Sequence, residues 1–196
     1  MAMILGLTGG IGCGKSAVGA LLEQMGVSYC SADVIVADLL TGDVDVIAAI
    51  KMRFGKDLVT EAGVQRQRLG EIVFSDAEAL YWLEELLHPR VERAWKAMVA
   101  ASPNCNWCIE IPLLFEKNLE KNFDCVVCVV CELSQRLSRL RNRGLCERQA
   151  LARNALQMPL LKKVELADIV ILNDGSESFL EAQIAYLTNH FLSNSL

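Results

Sequence analysis

The feature that most constrains this chain is a glycine-rich turn that follows an apolar run near its start. Residues Gly9 to Ser16 read GGIGCGKS and match the pattern G-x-x-x-x-G-K-[ST]. Glycine adopts positive φ without steric cost, so several glycines let successive backbone N–H groups point to one side. The run from Met3 to Thr8 predicts a strand before the turn, and the apolar spacing from Lys15 to Met25 predicts a helix after it. A strand, a glycine turn and a helix in this order predict an α/β fold that begins with an anion-binding loop.

This loop chemistry predicts a site for the phosphates of a nucleoside triphosphate. The free N–H groups and the positive dipole end of the following helix favour an anion. Lys15 can reach the β- and γ-phosphates, and the hydroxyl of Ser16 can bind Mg²⁺. The alternative is a glycine-rich turn with a solvated lysine. We predict ATP-binding residues along the whole loop and into the helix: Gly9, Gly10, Ile11, Gly12, Cys13, Gly14, Lys15, Ser16 and Ala17.

Strands and helices alternate along the rest of the chain, which is typical of an α/β protein. Four further strands are predicted at residues 27–32, 107–111, 124–131 and 169–172. The strand at 124–131 is apolar on both faces, as in the middle of a parallel sheet. The long helical stretch from Asp33 to Ala101 predicts a cap over the sheet, with a loop at 56–63 and a helix start or kink at Pro89.

Composition excludes several classes of partner. The chain has 196 residues, which fits one domain, and a formal net charge of −5 without a long basic run. This balance argues against nucleic acid as a partner. No apolar run reaches membrane-spanning length, and the N-terminus lacks a basic region before its apolar stretch. We therefore expect a cytoplasmic protein without a membrane partner, either a monomer or a weak homo-oligomer.

The chain contains eight cysteines, and their spacing raises the question of a metal cluster. Cys125, Cys128 and Cys131 form C-x-x-C-x-x-C, a spacing found in iron–sulfur and zinc proteins. Residues three apart in a strand point to opposite faces, so these thiols do not converge, and we predict that they fill the core. A metal cluster is the alternative. Cys13, inside the phosphate loop, is either a neutral small residue or a thiol with a lowered pKa that oxidises.

A small α/β chain with such a loop resembles a kinase for small molecules more than a GTPase switch. The GTPase patterns D-x-x-G and N-K-x-D are absent from the sequence. Phosphoryl transfer needs a group that orients or deprotonates the acceptor hydroxyl. Asp33 follows the second predicted strand, at the carboxyl end of the sheet where α/β ligands bind. Asp33 is therefore the candidate base, and the alternative is an N-cap for the next helix.

Several short motifs in one order resemble the dephospho-CoA kinase family. They read GLTGGIGCGKS, SADVI, RLGEIVF, LHPRV, IPLLFE and ADIVILNDG, and they run from about Ile4 to Gly175. The resemblance implies ATP-dependent phosphorylation of the ribose 3′-hydroxyl of dephospho-CoA, the final step of coenzyme A biosynthesis, with Mg²⁺. It implies a single P-loop kinase domain of the NTPase type, with a parallel five-stranded sheet, a helical substrate-binding cap and a helical lid. The core would span 1–32, 104–138 and 166–196, the cap about 33–103 and the lid about 139–165.

The resemblance also implies which residues meet the acceptor. Asp33 matches the second acid of the family's D-A-D and would face the 3′-hydroxyl, whereas Ser31 replaces the first acid. Asp38 stands where the family usually has arginine. The remaining acceptor candidates are Arg66, His88, Pro112, Leu113 and Leu114. His88 could instead be a packed or capping histidine, and the segment from Pro112 could be loop packing.

For the donor and its metal, the resemblance points to the last third of the chain and to one strand end. Arg139, Arg141 and Arg143 lie where the lid should begin. At least one of the three would stack on adenine or clamp the transferred phosphoryl group. Arg139 is predicted to bind ATP, while Arg141 and Arg143 would join Lys15 and Asp33 as catalytic residues. Other implied positions are Asn173 and Gly175 at the adenine turn, and Arg148 and Arg153 as further lid candidates. Glu110 ends an apolar strand as a Walker B acid does, and it is predicted to hold Mg²⁺ through water, with Ser16 as the other metal ligand. An exposed basic helix face and a ligand-free turn are the alternatives.

Two other functions remain open from the sequence. One is a kinase for a nucleoside or nucleotide, which uses the same loop with a different acceptor. The other is a nucleotide-dependent binding switch without an acceptor.

Overall fold

The computed structural model of the chain describes residues 2–142, 144 and 154–192. The chain divides into two compact units. The first, which we call the sheet unit, comprises Met1–Ser31 and Ser102–Leu196. The second, the helical unit, comprises Ala32–Ala101.

The sheet unit is built on a five-stranded parallel sheet. Its strands are β1 (Ile4–Gly9), β2 (Ser28–Ser31), β5 (Trp107–Glu110), β6 (Cys125–Val130) and β7 (Ile169–Leu172), in the order β2-β5-β1-β6-β7. Every neighbouring pair is parallel, so all the strands end at the same edge. The predicted fold class, a parallel five-stranded sheet flanked by helices, is confirmed. Because β1 is central, the glycine turn after it lies at the middle of that edge.

The sheet unit includes the helices α1 (Lys15–Gln24), α6 (Leu133–Asn142), α7 (Leu160–Leu166) and α8 (Glu177–Leu187). Helix α8 continues into a π-helical turn at Thr188–Leu192. The apolar faces of α1 and α8 close one core with β1, where Leu5, Leu22 and Ile184 have no exposed surface. Helix α7 was not predicted from the sequence, because seven residues after Pro159 carry too little periodicity.

The helical unit contains α2 (Ala32–Gly42), α3 (Val44–Phe54), α4 (Arg66–Val73) and α5 (Ala77–Ala101). The predicted loop at 56–63 is wrong, since this segment forms a 3₁₀ turn and one strand of a short hairpin, β3 (Val59–Thr60) with β4 (Gly63–Val64). Of the two alternatives predicted at Pro89, a helix start is not observed, because Pro89 lies inside the single helix α5, and a kink stays a prediction. No helix in the described part of the chain combines the length and apolarity needed to cross a membrane.

The cysteines of β5 and β6, and Cys131 directly after β6, lie in the core of the sheet unit. Cys108, Cys125, Cys128 and Cys131 are all buried. Burial raises the pKa of Cys125 and of Cys128 to about 11 and that of Cys131 to about 12, so these thiols stay neutral at physiological pH. The predicted role as small core residues is confirmed for them. Cys105 is the exception, because it is exposed in the turn before β5.

Helix α3 offers a matched test of the packing of the helical unit. Ile50 has no exposed surface and Met52 is 87% exposed, although both lie on this helix. We expect Ile50→Ala to lower the free energy of unfolding by about 2–5 kcal/mol, because it leaves a cavity in the core. Met52→Ala should change it by no more than about 0.5 kcal/mol. Urea denaturation followed by circular dichroism measures both, and equal losses would contradict this packing.

Candidate functional site

The phosphate loop joins β1 to α1 and depends on glycine at defined positions. The φ angles of Gly9, Gly12 and Gly14 are 146°, 79° and 89°. A Cβ atom on Gly9 would lie 2.3 Å from the carbonyl oxygen of Val129, and one on Gly14 would lie 2.1 Å from Nδ2 of Asn173. Both positions therefore exclude side chains for conformational and for steric reasons. The loop has the form that the sequence pattern predicts.

Lys15 lies over this loop. Its Nζ donates to the carbonyl oxygens of Gly9 and Gly10 at 3.3 and 3.4 Å, and the side chain is buried. The next two residues, Ser16 and Ala17, are exposed in the first turn of α1. A positive charge, a hydroxyl and a helix N-terminus thus meet at one turn, which is suited to binding a polyphosphate.

Side chains 125 to 160 residues away in sequence donate hydrogen bonds to the carbonyl groups of the loop. Arg136 on α6 donates from Nε to the carbonyl of Ile11 at 2.9 Å. Asn173, after β7, donates from Nδ2 to the carbonyl of Cys13 at 2.8 Å, and Arg139 donates to the same carbonyl at 3.3 Å. Arg139 also donates to the carbonyl of Asn173 at 2.9 Å. Arg139 and Asn173, each predicted separately as an ATP-binding residue, therefore lie together against the loop.

Sequence reasoning missed Arg136, which is buried. A usable signal existed, because Arg136 precedes Arg139 by three residues and so shares its helix face. Arg141 lies exposed in the last turn of α6, away from that face in the helical repeat. The candidates Arg143, Arg148 and Arg153 lie outside the described residues.

Two side chains of the segment that precedes α7, Gln157 and Asn154, bond to the phosphate loop or to Arg136, which holds it. Gln157 accepts a hydrogen bond from the backbone N–H of Ile11 through Oε1 at 3.1 Å, and Asn154 accepts one from Arg136. Gly175, predicted at the adenine turn, is exposed and lies two residues beyond Asn173, between β7 and α8.

The hypothesis of a reactive thiol at Cys13 is wrong. Cys13 has no exposed surface. Burial raises the pKa of its thiol, and this effect outweighs the lowering by the charges of Arg136 and Lys15. Cys13 is a neutral, small residue under the loop.

Glu110 ends β5 beside the central strand, in register with Leu7. It is buried and accepts a hydrogen bond of 2.5 Å from the hydroxyl of Tyr29 on β2. Burial and the neighbouring Glu110 both raise the pKa of Tyr29, which therefore remains a donor. Tyr29 was not predicted as a site residue, because it belongs to no motif in the sequence. A carboxylate and the hydroxyl of Ser16 are oxygen donors of the kind that Mg²⁺ prefers, so the residues present fit this ion.

The segment from Pro112 to Glu116 follows β5. The carbonyl of Pro112 accepts hydrogen bonds from Oγ1 of Thr8 at 3.3 Å and from Nζ of Lys163 at 2.7 Å. Pro112 and Leu113 are half-buried. Leu114 has no exposed surface and packs in the space opposite Gly6. Leu114 is therefore a core residue, and of the three predicted acceptor residues in this segment Pro112 and Leu113 retain surface for a ligand.

Lys163 is a second charged residue that sequence reasoning missed. Its side chain has no exposed surface, and its Nζ lies 2.9 Å from Oε1 of Glu116 as well as near Pro112. The backbone N–H of Met158 donates to the same Oε1 at 2.7 Å. Within the short helix LLKKVEL, the two adjacent lysines gave no sign of which one is buried.

Within the helical unit, three predicted acceptor residues lie on three different helices. Asp33 is exposed in the first turn of α2, one position after the helix begins, so it does not occupy the N-cap position itself. Arg66 is exposed at the start of α4, and His88 is half-buried in α5 directly before Pro89. The carboxylate of Asp33 is thus open to a ligand.

Comparison with known proteins identifies close relatives. The family model of dephospho-CoA kinase matches residues 3–178. A dephospho-CoA kinase of Synechocystis sp. is 39% identical over 191 residues, which is 95% of each chain. The crystal structure of TT1252 from Thermus thermophilus is 34% identical, with a TM-score of 0.81 over 96% of this chain and 98% of that one. A dephospho-CoA kinase from Campylobacter jejuni is 27% identical, with a TM-score of 0.71 over the whole of both chains.

Alkylation tests the burial of the loop thiol. In the folded protein at pH 8, iodoacetamide should modify Cys13 at least about tenfold more slowly than the exposed Cys105, because Cys13 is buried and its raised pKa lowers the thiolate fraction. Mass spectrometry of tryptic peptides gives both rates. In denaturant the two rates should become similar, and rapid labelling of Cys13 in the folded protein would contradict this account.

Proposed function

Because this chain belongs to the dephospho-CoA kinase family, we propose a division of roles among its residues in that reaction. Its reaction is the ATP-dependent phosphorylation of the ribose 3′-hydroxyl of dephospho-CoA, the final step of coenzyme A biosynthesis. The substrates are therefore ATP and dephospho-CoA. The observation that supports the roles best is the phosphate loop, with its glycine geometry and Lys15.

In this proposal the loop from Gly9 to Ala17 holds the phosphates of ATP. The backbone N–H groups and the N-terminus of α1 would bind the β-phosphate, and Lys15 would exchange its contacts with loop carbonyls for the β- and γ-phosphates. Arg139 and Asn173, which already lie against the loop, would border the adenine together with Gly175. Arg141 and Arg143 remain proposed partners of the transferred phosphoryl group.

The acceptor hydroxyl is assigned to Asp33. Its exposed carboxylate, one residue past the helix start, follows the carboxyl end of β2, the edge at which parallel α/β sheets bind ligands. Asp33 would accept the proton of the 3′-hydroxyl as its oxygen bonds to the γ-phosphorus. The bond from the γ-phosphorus to the bridging oxygen breaks, and ADP leaves with that electron pair. Arg66, His88, Pro112 and Leu113 are the proposed acceptor contacts.

Mg²⁺ is the proposed metal, held by the hydroxyl of Ser16 and, through water, by Glu110. When bound, such an ion neutralises charge on the β- and γ-phosphates. The hydrogen bond from Tyr29 would fix the Glu110 carboxylate in one orientation. We further propose a cytoplasmic enzyme, monomeric or weakly homo-oligomeric, without nucleic-acid or membrane partners.

The reaction itself is tested by ADP release from ATP and Mg²⁺, with and without dephospho-CoA. We expect release to depend on the acceptor, and the product to gain the mass of one phosphoryl group at the 3′-position. Stimulation by a nucleoside or nucleotide instead would favour the rival kinase. Turnover that no acceptor stimulates, with an ATP-dependent protein partner, would favour the binding switch.

The role of Asp33 is tested by Asp33→Asn. The matched control is Asp38→Asn, since Asp38 is a second exposed aspartate of helix α2. We expect Asp33→Asn to lower kcat by about 100-fold or more, because the amide cannot accept the proton. The dissociation constant for ATP should stay within about threefold, since the phosphate loop is intact. Steady-state kinetics and calorimetry provide both values. Equal activity of the two variants would remove Asp33 from the mechanism.

A further inference from the structure

Lys163 is a fully buried lysine in a helix whose other lysine is solvent-exposed. Its side chain has no exposed surface, whereas Lys162 is exposed and pairs with Glu165 at 2.8 Å. Taking an ammonium group out of water is costly unless hydrogen bonds and an opposite charge compensate. The groups that contact the Lys163 ammonium therefore indicate what this buried charge holds in place.

Those contacts lie at both ends of one short segment. The Nζ atom donates to the carbonyl of Pro112 at 2.7 Å and to Oε1 of Glu116 at 2.9 Å. Pro112 and Glu116 begin and end the stretch PLLFE. One ammonium group thus fixes the beginning and the end of a five-residue loop at the same point.

Packing and backbone hydrogen bonds hold the residues between Pro112 and Glu116, so fixing the two ends also restricts the middle of the segment. The side chain of Leu114 is fully buried, and that of Leu113 keeps part of its surface. The backbone N–H of Lys117 donates to the carbonyl of Leu113 at 3.1 Å, and that of Leu119 donates to the carbonyl of Leu114 at 3.0 Å. With both ends tied to Lys163, the backbone between them has little freedom, and the exposed part of Leu113 is held in one place.

The donors that hold the phosphate loop are different side chains. Arg136 holds the carbonyl of Ile11, and Arg139 with Asn173 holds that of Cys13. Loss of Lys163 would leave Pro112 with only the weaker donor Thr8 and Glu116 with only the N–H of Met158, so the segment after β5 would be held less firmly. None of these three hydrogen bonds to the ATP-binding loop involves Lys163.

We propose that Lys163 is a positioning residue for the acceptor, which acts by fixing the segment Pro112–Glu116. This inference rests on the proposed function, in which Pro112 and Leu113 contact dephospho-CoA. Its consequence is selective: the charge on Lys163 supports binding of the acceptor and contributes little to binding of ATP.

The test compares Lys163→Met with Lys162→Met, which removes the same charge from the exposed neighbour. Methionine keeps the length of the buried chain but cannot donate to Pro112 or Glu116. Since this leaves the Glu116 carboxylate buried, the double variant Lys163→Met with Glu116→Gln provides a neutral site that is easier to fold. Steady-state kinetics give the KM for each substrate, and amide hydrogen exchange of residues 113–119 reports the anchoring directly, without any activity.

We expect Lys163→Met, or the double variant if the single one does not fold, to raise the KM for dephospho-CoA by about tenfold or more. The KM for ATP should stay within about threefold, and exchange at Lys117 and Leu119 should quicken by about tenfold or more. Lys162→Met should match the wild type in all three measurements.

Unchanged exchange would overturn the anchoring, and a parallel rise of both KM values would show a structural residue without selectivity. Faster exchange with an unchanged KM for dephospho-CoA would overturn the positioning role. If the wild-type protein does not phosphorylate dephospho-CoA, the proposed function fails instead, and the exchange data still decide the anchoring.

Discussion

The phosphate loop imposes the constraint on which the rest of the sheet unit depends. A loop that turns its N–H groups toward an anion turns carbonyl oxygens toward the protein, and each buried carbonyl needs a donor. Here the carbonyls of Ile11 and Cys13 obtain donors from Arg136 and Asn173, which are 125 and 160 residues away in sequence. The strand order, with β6 beside β1 and β7 beside β6, brings these donors to the loop. The glycine turn therefore obtains its donors through the parallel topology.

Most of the sheet could be predicted from sequence because β1, β5, β6 and β7 are short, largely apolar runs between helices, whereas β2, with the sequence SYCS, is a weaker signal. The strand Cys125–Val130 shows this best, since its six residues are valine and cysteine and both of its faces are covered. Elements below the length at which periodicity is readable could not be predicted. The strands of the hairpin at 59–64 have two residues each, and helix Leu160–Leu166 has only seven. The hairpin and this helix are stabilised by tertiary contacts, which a local sequence pattern does not show.

The candidate site divides in the same way. The phosphate loop is contiguous, so its residues are visible in one pattern, and Asn173 lies in a family motif. Arg139 was one of three candidate arginines, and its hydrogen bond to the carbonyl of Asn173 is known only from the structure. Arg136 and Lys163 belong to no contiguous pattern, because their partners are carbonyl and carboxylate groups far along the chain. Leu114 shows the opposite error. It lies within a family motif, but the absence of a side chain at Gly6 leaves a space in the core that Leu114 fills.

Burial separates the charged groups that hold this site from those that can act on a substrate. Arg136 and Lys163 are buried, and their donors are occupied by protein oxygens, so exchanging those partners for a ligand would leave buried groups unpaired. The carboxylate of Asp33 is exposed and can bond to a substrate without such a loss. Substitution of the buried cations must therefore affect stability together with activity, whereas Asp33 can be removed at little cost to the fold. Buried cations can thus keep the loops of the site in place, while an exposed carboxylate on the surface is free to react with the substrate.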